Sequence, residues 1–281
     1  MREEPSYPAE QGTQAIMGMP VKILDEKNGW LKIESPDGYQ AWVWNSSIAK
    51  KTEAELAAWR KAPRLVVTDR YEAVGYDSPT TNSPRHTVTD LVNGSIVEGS
   101  LQGKIANGRV QVTLPDNRKC WVDTASLEPI EKWAAQDFDP DVILDQAYAL
   151  EGHPYMWGGT STKGVDCSGL VRVSYYANGF ILKRNASQQA KLGTRLDAED
   201  WPSYQPCDLL FFGNNATGRV THVALYDHDG KIIHSAGSVK RNSCDPSAPD
   251  YLQRKTMWAV RIHGHEGEDG ITQVRNHPWY F

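Results

Sequence analysis

The sequence predicts an α+β fold, in which two small β units precede a larger module of mixed helices and strands. Three observations lead to this prediction: an internal repeat in the first half, a capped helix between its two copies, and a change of pattern near Pro140. Beyond Pro140, helical and strand-like periodicities alternate along the chain. We therefore expect three domains, which span residues 5–62, 63–130 and 131–281.

The repeat consists of two segments of equal length that align without a gap. Asn28–Val43 reads NGWLKIESPDGYQAWV, and Asn107–Val122 reads NGRVQVTLPDNRKCWV. Each copy begins with Asn-Gly, which signals a tight hairpin turn, and continues as a short alternating run to a second turn at Pro-Asp. Short strands at this spacing predict one small β-barrel per copy. Cys120 occupies the position of Ala41, so we expect a small buried core residue there.

The segment between the copies, TEAELAAWRKAP, predicts a short linker helix. Thr52 and Glu55 have the spacing of a capping box, in which each residue satisfies a backbone N–H of the other. Pro63 should follow the end of this helix, because proline cannot continue a helical hydrogen-bond ladder.

Composition and charge exclude several classes of protein. The formal net charge is −5, which argues against nucleic-acid binding through phosphate contacts. No run approaches the roughly 18 apolar residues of a membrane span. The first residues, MREEPSYPAEQ, contain no apolar signal segment, and we expect a cytoplasmic or periplasmic protein. The four cysteines form no CxxC pair, so neither a disulfide framework nor a zinc ribbon is indicated.

One cysteine lies where a helix is predicted to begin. Pro154–Tyr176 reads PYMWGGTSTKGVDCSGLVRVSYY, with Asp166 as a suitable N-cap and Cys167 in the first turn. A helix N-terminus lowers the pKa of a thiol and favours the nucleophilic thiolate. Its unpaired N–H groups can also bind an oxyanion that develops on a substrate carbonyl. Because Asp166 opposes ionisation of the thiol, we expect a cationic partner, a histidinium.

Two histidines lie on a predicted β-hairpin, THVALYDHDGKIIHSAG. A three-residue loop, His228 to Gly230, would place Asp227 opposite Lys231. That register puts His222 and His234 on the same face as diagonal neighbours, whereas a two- or four-residue loop would separate them. His222 is then the expected general base, and His234 is expected to orient its ring.

Five motifs in this order, PYMWGG, DCSGLV, CDLLFFG, THVALY and IIHSAG, resemble those of the NlpC-type cysteine peptidases of the papain-like superfamily. The resemblance covers residues 140–262. The two repeats in front resemble the bacterial SH3-like domains. Together they imply a papain-like NlpC-type catalytic domain preceded by two small SH3-like β-barrels. One departure is Cys207-Asp208-Leu209, where the family usually has Gly-Asp-Leu.

The resemblance assigns roles to individual residues. Cys167 matches the nucleophile, His222 the base, His234 the third polar residue, and Tyr155 the tyrosine whose hydroxyl approaches the oxyanion. The residues that match substrate-binding positions are Asp166 and Ser168, which would hold a free α-amine, Glu10 and Tyr39 of the first repeat, and Arg184 and Ser187 in RNASQQ.

The function implied by the resemblance is hydrolysis of the γ-D-glutamyl bond to the diamino acid in murein stem peptides with a free N-terminal L-alanine. The implied partner is a murein-derived peptide, bound by a monomer without a metal or organic cofactor. An acyltransferase or amidase on the same fold is one alternative, although such enzymes commonly place the histidine before the cysteine. A non-catalytic wall-binding protein and a Cys-His-His zinc site are further alternatives. We also expect Trp157 to pack in the core and Cys244 to lie in an exposed loop.

Overall fold

The computed structural model describes residues 1–281, which divide into two compact units. The first unit comprises Met1–Gln136 and His277–Phe281, and the second comprises Asp137–Asn276. The last five residues, which the sequence assigned to the third domain, thus group with the first unit. No helix in the structure combines the length and apolar character that crossing a membrane requires. The division of the first unit into two domains stays a prediction.

Five α-helices occur along the chain. They are α1 (Glu53–Lys61), α2 (Ile130–Ala134), α3 (Pro140–Ala149), α4 (Cys167–Ala177) and α5 (Ala186–Gln189). The predicted linker helix is confirmed as α1. The Glu55 N–H donates to Thr52 Oγ1 at 3.3 Å, and the Thr52 N–H donates to the Glu55 carboxylate at 2.7 Å. This reciprocal pair is the capping box that the sequence predicted.

Eleven strands form the two sheets of the first unit. They are β1 (Lys22–Lys27), β2 (Trp30–Glu34), β3 (Gln40–Trp44), β4 (Arg64–Val67), β5 (Glu72–Tyr76), β6 (Thr87–Val92), β7 (Ile96–Glu98), β8 (Ile105–Ala106), β9 (Arg109–Thr113), β10 (Lys119–Asp123) and β11 (Leu127–Pro129). The first three form one sheet in the order β1-β2-β3. The others form a second sheet in the order β11-β4-β7-β9-β10-β5-β6, with β8 paired to β9.

The sequence repeat is also a structural repeat. Strands β2 and β3 pair with Trp30 opposite Trp44, and β9 and β10 pair in the equivalent register with Arg109 opposite Asp123. The Asn-Gly turn at the start of each copy has positive φ at both residues, 52° at Asn28 and 80° at the following glycine in the first copy. A residue with positive φ in this turn matches the right-handed twist of the flanking strands, which explains the Asn-Gly pair.

The predicted closed barrels are not seen. The strand order of neither sheet returns to its first strand. The first copy contributes only three strands, too few to close a cylinder, and every residue of its edge strand β1 is exposed. The predicted core role of the repeat is confirmed at Cys120, which is 1% exposed and packs in the apolar cluster of the second sheet.

The C-terminal segment completes the first unit around Arg64. This arginine is 1% exposed, and its Nη1 donates to the backbone oxygen of Tyr280 at 2.7 Å. Its guanidinium lies 4.5 Å from the ring centroid of Trp59 and 5.3 Å from that of Phe281. A buried cation needs such acceptors and aromatic faces, so the last residues are part of the packing of this unit.

Ten strands belong to the second unit. They are β12 (Thr160–Ser161), β13 (Gly164–Val165), β14 (Phe180–Leu182), β15 (Thr194–Leu196), β16 (Leu209–Asn214), β17 (Arg219–Tyr226), β18 (Lys231–Ala236), β19 (Ser238–Ser243), β20 (Trp258–Arg261) and β21 (Ile271–Gln273). Six of them form an antiparallel sheet in the order β15-β20-β16-β17-β18-β19.

Both faces of this six-stranded sheet are buried because its strands alternate between two apolar clusters. Phe211 and Val223 pack in the cluster that contains the apolar residues of α3 and α4, and their neighbours Phe212 and Ala224 pack in a second cluster. Side chains alternate between the faces of a strand, so the continuous apolar run of β16 supplies both clusters. The sheet thereby supports α4, which carries Cys167.

Two expectations about individual residues are wrong. Cys244 is 7% exposed and packs in the second apolar cluster, because its N–H donates to the Gly230 oxygen at 2.8 Å and draws it beneath the hairpin loop. Trp157 is 63% exposed. The chain turns at Gly158, which has a φ of 74°, and this turn leaves the indole at the surface.

Cys207 adopts a backbone conformation that favours glycine. Its φ is 72°, in the left-handed region, although it carries a side chain. The residue is 1% exposed, and its N–H donates to the Tyr226 oxygen at 2.8 Å, which sets the turn before β16. The departure from the family's Gly-Asp-Leu pattern therefore leaves the turn in place but introduces a Cβ where glycine is unstrained.

We expect the Cys207→Gly variant to be more stable than the Cys207→Ala variant by about 1 kcal/mol. Both substitutions remove the buried sulfur, so their difference reports the backbone strain. The free energy of unfolding, measured with a chemical denaturant, tests this expectation. An alanine variant as stable as the glycine variant would show that the left-handed backbone carries no strain.

Candidate active site

The N-terminus of α4 is held by the side chain of Asp166. Its Oδ1 accepts the Gly169 N–H at 2.7 Å, which is the N-cap that the sequence predicted. Cys167 is the first helical residue, so its N–H has no partner within the helix. A Cβ at Gly169 would lie 1.8 Å from the backbone oxygen of Gly159. The glycine of the DCSGLV motif is thus required because the helix lies directly against the preceding loop.

Asp166 is 6% exposed, and its carboxylate accepts hydrogen bonds at both oxygens. Oδ2 accepts the Gly158 N–H at 3.0 Å, and Oδ1 accepts the Ser168 hydroxyl at 3.0 Å. Arg184 donates to both carboxylate oxygens and, through Nη1, to Ser168 Oγ at 2.9 Å. Arg184 therefore supplies a cation to Asp166 within the protein itself, whereas the resemblance implied the free α-amine of the substrate as that cation.

The sulfur of Cys167 lies against strand β17. The backbone N–H groups of Val223 and Ser168 hydrogen-bond to it, and Val223 directly follows His222. Burial, and next the negative charge of Asp166, raise the pKa of the thiol to about 11, while the two N–H groups act in the opposite direction. The expectation of a thiol pKa lowered by the helix terminus is therefore not met.

The hairpin that carries the two histidines has the predicted three-residue loop. The N–H of Asp227 donates to the Lys231 oxygen at 2.9 Å, so these residues flank the loop. Two of the loop residues, Asp229 and Gly230, have positive φ, of 47° and 74°. Tyr226 pairs with Ile232 and Leu225 pairs with Ile233, which is the register that the three-residue loop predicts.

This register brings the imidazole rings of His222 and His234 together. Nε2 of His222 lies 2.8 Å from Nδ1 of His234, and the ring centroids are 4.9 Å apart in an edge-to-face arrangement. His222 is 5% exposed and His234 is fully buried. On the far side, Nε2 of His234 lies 2.9 Å from Oδ1 of Asn242. The Phe212 ring lies against His222, with the two ring centroids 5.8 Å apart.

Both histidines are held in the neutral form. Burial is the largest cause and lowers the pKa of His222 to about 3, with further contributions from His234, Arg254 and Lys240. Burial also lowers the pKa of His234, against the opposite effect of its hydrogen bond to the asparagine. Together with the raised pKa of Cys167, this means that the thiol and both imidazoles are neutral at pH 7. Proton transfer to the ring would then accompany attack by the sulfur.

Tyr155 lies on the loop that precedes Cys167. Its N–H donates to the Gly237 oxygen at 2.9 Å, which ties this loop to the turn between β18 and β19. The side chain is half-buried, and burial and then the charges of Cys167 and Asp166 raise the pKa of its hydroxyl. A protonated phenol near the sulfur is a suitable hydrogen-bond donor to an oxyanion.

The remaining predicted residues are more scattered. Ser187 is exposed in the first turn of α5. Glu10 and Tyr39 belong to the first unit, where Tyr39 Oη donates to Oε1 of Glu3 at 2.5 Å. The backbone oxygen of Glu10 accepts the Glu3 N–H at 3.0 Å. Glu3 thus contacts both Tyr39 and Glu10, and the roles of Glu10, Tyr39 and Ser187 stay predictions.

Sequence reasoning missed Asn242 and Glu3. The sequence did contain a signal for Asn242. If Gly237 is taken as the turn between two paired strands, the alternation of side chains places Asn242 diagonally across from His234. Glu3 had no such signal, since its contact with Tyr39 is long-range. The structure contains no cluster of three or more His, Cys, Asp or Glu side chains arranged to hold a metal ion.

We expect alkylation of Cys167 by iodoacetamide to accelerate with pH beyond pH 9. The thiolate is the reactive form, and the pKa of this thiol is raised to about 11. Mass spectrometry of the labelled peptide measures the rate, with Cys167→Ala as the control for labelling of the other thiols. A rate that reaches its plateau below pH 7 would instead indicate a preformed thiolate–imidazolium pair.

We expect Arg184→Leu to destabilise the second unit by about 3 kcal/mol or more, because it leaves the buried Asp166 carboxylate without its cation. The double variant Asp166→Asn/Arg184→Leu should recover part of this loss. Denaturant unfolding of Arg184→Leu, Asp166→Asn and the double variant measures the coupling free energy between the two side chains, and Arg184→Lys shows how much of it a simple positive charge retains. Unchanged stability of Arg184→Leu would contradict a structural role for the ion pair.

Comparisons with known proteins agree with this organisation. Residues 152–261 match the NlpC/P60 family, and residues 1–48 match the bacterial dipeptidyl-peptidase Sh3 domain. The γ-D-glutamyl-L-lysine dipeptidyl-peptidase of Bacillus subtilis (strain 168) is 42% identical over 234 residues, 79% of this chain and 71% of that protein. The protein of the same name from Bacillus cereus (strain ATCC 10987 / NRS 248) is 28% identical over 257 residues, 86% of this chain and 72% of that protein.

The fold is also found in a solved structure. An NlpC/P60 family protein from Bacillus cereus ATCC 10987 superimposes with a TM-score of 0.74 at 24% identity, over 90% of this chain and 82% of that chain. The shared architecture comprises an N-terminal SH3-type β region and a papain-like NlpC/P60 domain. From the order of the motifs, the position of the cysteine and these similarities, the chain belongs to the NlpC/P60 family of cysteine peptidases.

Proposed function

We propose that this protein hydrolyses the bond between γ-D-glutamate and the diamino acid in murein stem peptides, and that it acts as a monomer in cell-wall turnover or recycling. The observation that carries the proposal is the location of Cys167, at the first turn of α4 and against β17, the strand that carries His222, whose ring in turn contacts His234 of β18. The printed names of the relatives, γ-D-glutamyl-L-lysine dipeptidyl-peptidases, support this substrate class.

The first step is acylation of Cys167. Nδ1 of His222 accepts the thiol proton while the sulfur attacks the γ-carbonyl carbon of D-glutamate. The carbonyl oxygen becomes an oxyanion, which the Cys167 N–H and the Tyr155 hydroxyl stabilise. These donors suit the task because the N–H lies at the start of α4, and the phenol stays protonated.

The second step releases the diamino acid. The tetrahedral intermediate collapses as the histidinium of His222 returns its proton to the leaving amine, and a thioester remains on Cys167. Water then attacks the thioester with His222 as the base, which frees the γ-carboxylate and restores the thiol. Both rings are neutral in the resting state. The hydrogen bond from His222 to His234 holds the His222 ring in place through both steps.

A free α-amine on the substrate is the proposed specificity element. The resemblance assigns Asp166 and Ser168 to this amine, although both groups already bind Arg184. The amine would therefore meet a carboxylate whose charge is largely compensated. Five donors already occupy the carboxylate of Asp166, whereas Ser168 Oγ keeps one lone pair. We propose that recognition depends on this lone pair of Ser168, with Asp166 contributing through its negative charge rather than through a full ion pair.

We expect turnover of L-Ala-γ-D-Glu-L-Lys with release of free lysine, and loss of turnover by a factor on the order of 10⁴ or more in Cys167→Ala. The N-acetylated tripeptide should be cleaved at least about tenfold more slowly, because acetylation removes the positive charge. Chromatography of the products measures both rates, with circular dichroism as the check that the variant folds.

The isomer in which D-glutamate is linked through its α-carboxyl serves as the matched control for the γ bond. Activity retained by Cys167→Ala would overturn the nucleophile. Equal turnover of the free and acetylated peptides would overturn amine recognition alone. Cleavage of the α-linked isomer in preference to the γ-linked peptide would overturn the substrate class.

A further inference from the structure

We propose that Asn242 is a positioning residue that fixes the protons on both imidazole rings and thereby keeps Nδ1 of His222 unprotonated and able to act as the base. The proposal rests on the proposed function for its catalytic meaning. The arrangement itself is a chain of three side chains, from Asn242 through His234 to His222, joined by hydrogen bonds of 2.9 and 2.8 Å.

The fold places Asn242 at the end of this chain. Strands β18 and β19 pair with His234 opposite Lys240 and Ile232 opposite Asn242. Asn242 is therefore the diagonal neighbour of His234 on the same face of the sheet, within side-chain reach. The adjacent residue Arg241 points to the other face, where it pairs with Glu151 at 2.9 Å.

The orientation of the Asn242 amide is determined by its other partner. Nδ2 of Asn242 donates to the backbone oxygen of Asp250 at 2.9 Å. A carbonyl oxygen can only accept a hydrogen bond, so the NH₂ group must face Asp250 and Oδ1 must face His234. The Asp250 oxygen is itself held in place, because it also accepts the Ser243 N–H at 3.0 Å.

This orientation decides where the ring protons lie. Oδ1 of Asn242 is an acceptor, so Nε2 of His234 carries a proton. A neutral ring has only one N–H, so Nδ1 of His234 is an acceptor and the proton between the rings belongs to Nε2 of His222. Nδ1 of His222 then carries no proton, and its lone pair is available to accept one. The opposite amide orientation would reverse every bond in the chain and place a proton on that nitrogen, which would disable the base.

The charges around the pair agree with a neutral chain. The charged groups that influence both rings are the exposed cations Lys240 and Arg254, and both lower the pKa of each histidine. The Asp250 carboxylate is engaged by Lys231 Nζ at 3.1 Å. No carboxylate hydrogen-bonds to either ring, so the final acceptor is the neutral amide. A neutral acceptor fixes the tautomer without stabilising a histidinium in the resting enzyme.

The direct test is ¹⁵N NMR of the full-length protein with labelled histidine. In the wild type we expect both His222 and His234 as neutral rings protonated at Nε2. In Asn242→Leu the preference should be lost, with at least one ring shifted measurably toward the Nδ1–H form. Unchanged tautomers in a folded Asn242→Leu variant would overturn the proposal, whatever the activity.

The kinetic test separates positioning from packing. Asn242→Leu should lower kcat by between about 10- and 100-fold, a part of what a general base contributes, and leave KM nearly unchanged. Asn242→Asp keeps an acceptor oxygen but adds a negative charge, which stabilises the histidinium. Its acidic limb of kcat/KM against pH should therefore shift to higher pH, with activity recovered at alkaline pH. Arg241→Leu, on the opposite face of the same strand, is the matched control and should match the wild type.

Wild-type kcat in a folded Asn242→Leu variant, or an acidic limb in Asn242→Asp that coincides with the wild type, would overturn the proposal. If Asn242→Leu does not fold, the pH profile of Asn242→Asp decides the question alone. A wild-type protein that cleaves no γ-D-glutamyl peptide refutes the proposed function, and the NMR result still decides whether Asn242 sets the tautomers.

Discussion

The buried carboxylate of Asp166 is the interaction on which the candidate site depends. It caps α4 through Gly169, holds the glycine loop through Gly158, and binds the guanidinium of Arg184. Taking an aspartate out of water is costly unless its charge is compensated, and here donors at both oxygens provide that compensation. The position of Cys167, one residue later, follows from this network.

The charge state of the site follows from the same burial. Apolar packing surrounds the Cys167 sulfur and the two imidazoles, so each is more stable as the neutral form. A helix N-terminus alone would favour the thiolate, but the adjacent Asp166 and the desolvation of the sulfur act against it. The resting site therefore contains no thiolate–imidazolium ion pair, and in the proposed mechanism its reactivity depends on the geometry of proton transfer to His222.

Local signals were sufficient to predict much of this structure. The Asn-Gly turns, the capping box of α1 and the Asp166 N-cap each depend on a few adjacent residues, and the structure shows all of them. The loop of the histidine hairpin was predictable too, because an odd loop or a bulge is needed to bring His222 and His234 to one face. The closed barrels were not predictable from repeats, since closure depends on pairing between distant strands.

Long-range contacts explain the other differences. Two of them are contacts between residues whose spacing in sequence carries no periodic signal, Arg184 with Asp166 and Glu3 with Tyr39. The burial of Cys244 likewise depends on packing against distant parts of the chain. The pKa of Cys167 was mispredicted because a helix-terminus argument does not include desolvation. The sulfur environment is a property of the packed unit rather than of the DCSGLV motif.

The contact between Arg64 and Tyr280 has a consequence for biosynthesis. A ribosome makes the N-terminal part of the first unit early, yet Tyr280 emerges only after the whole peptidase unit has been translated. Until then the guanidinium lacks an acceptor that it has in the finished protein. The N-terminal unit should thus reach its final packing last, although nearly all of its residues are synthesised first.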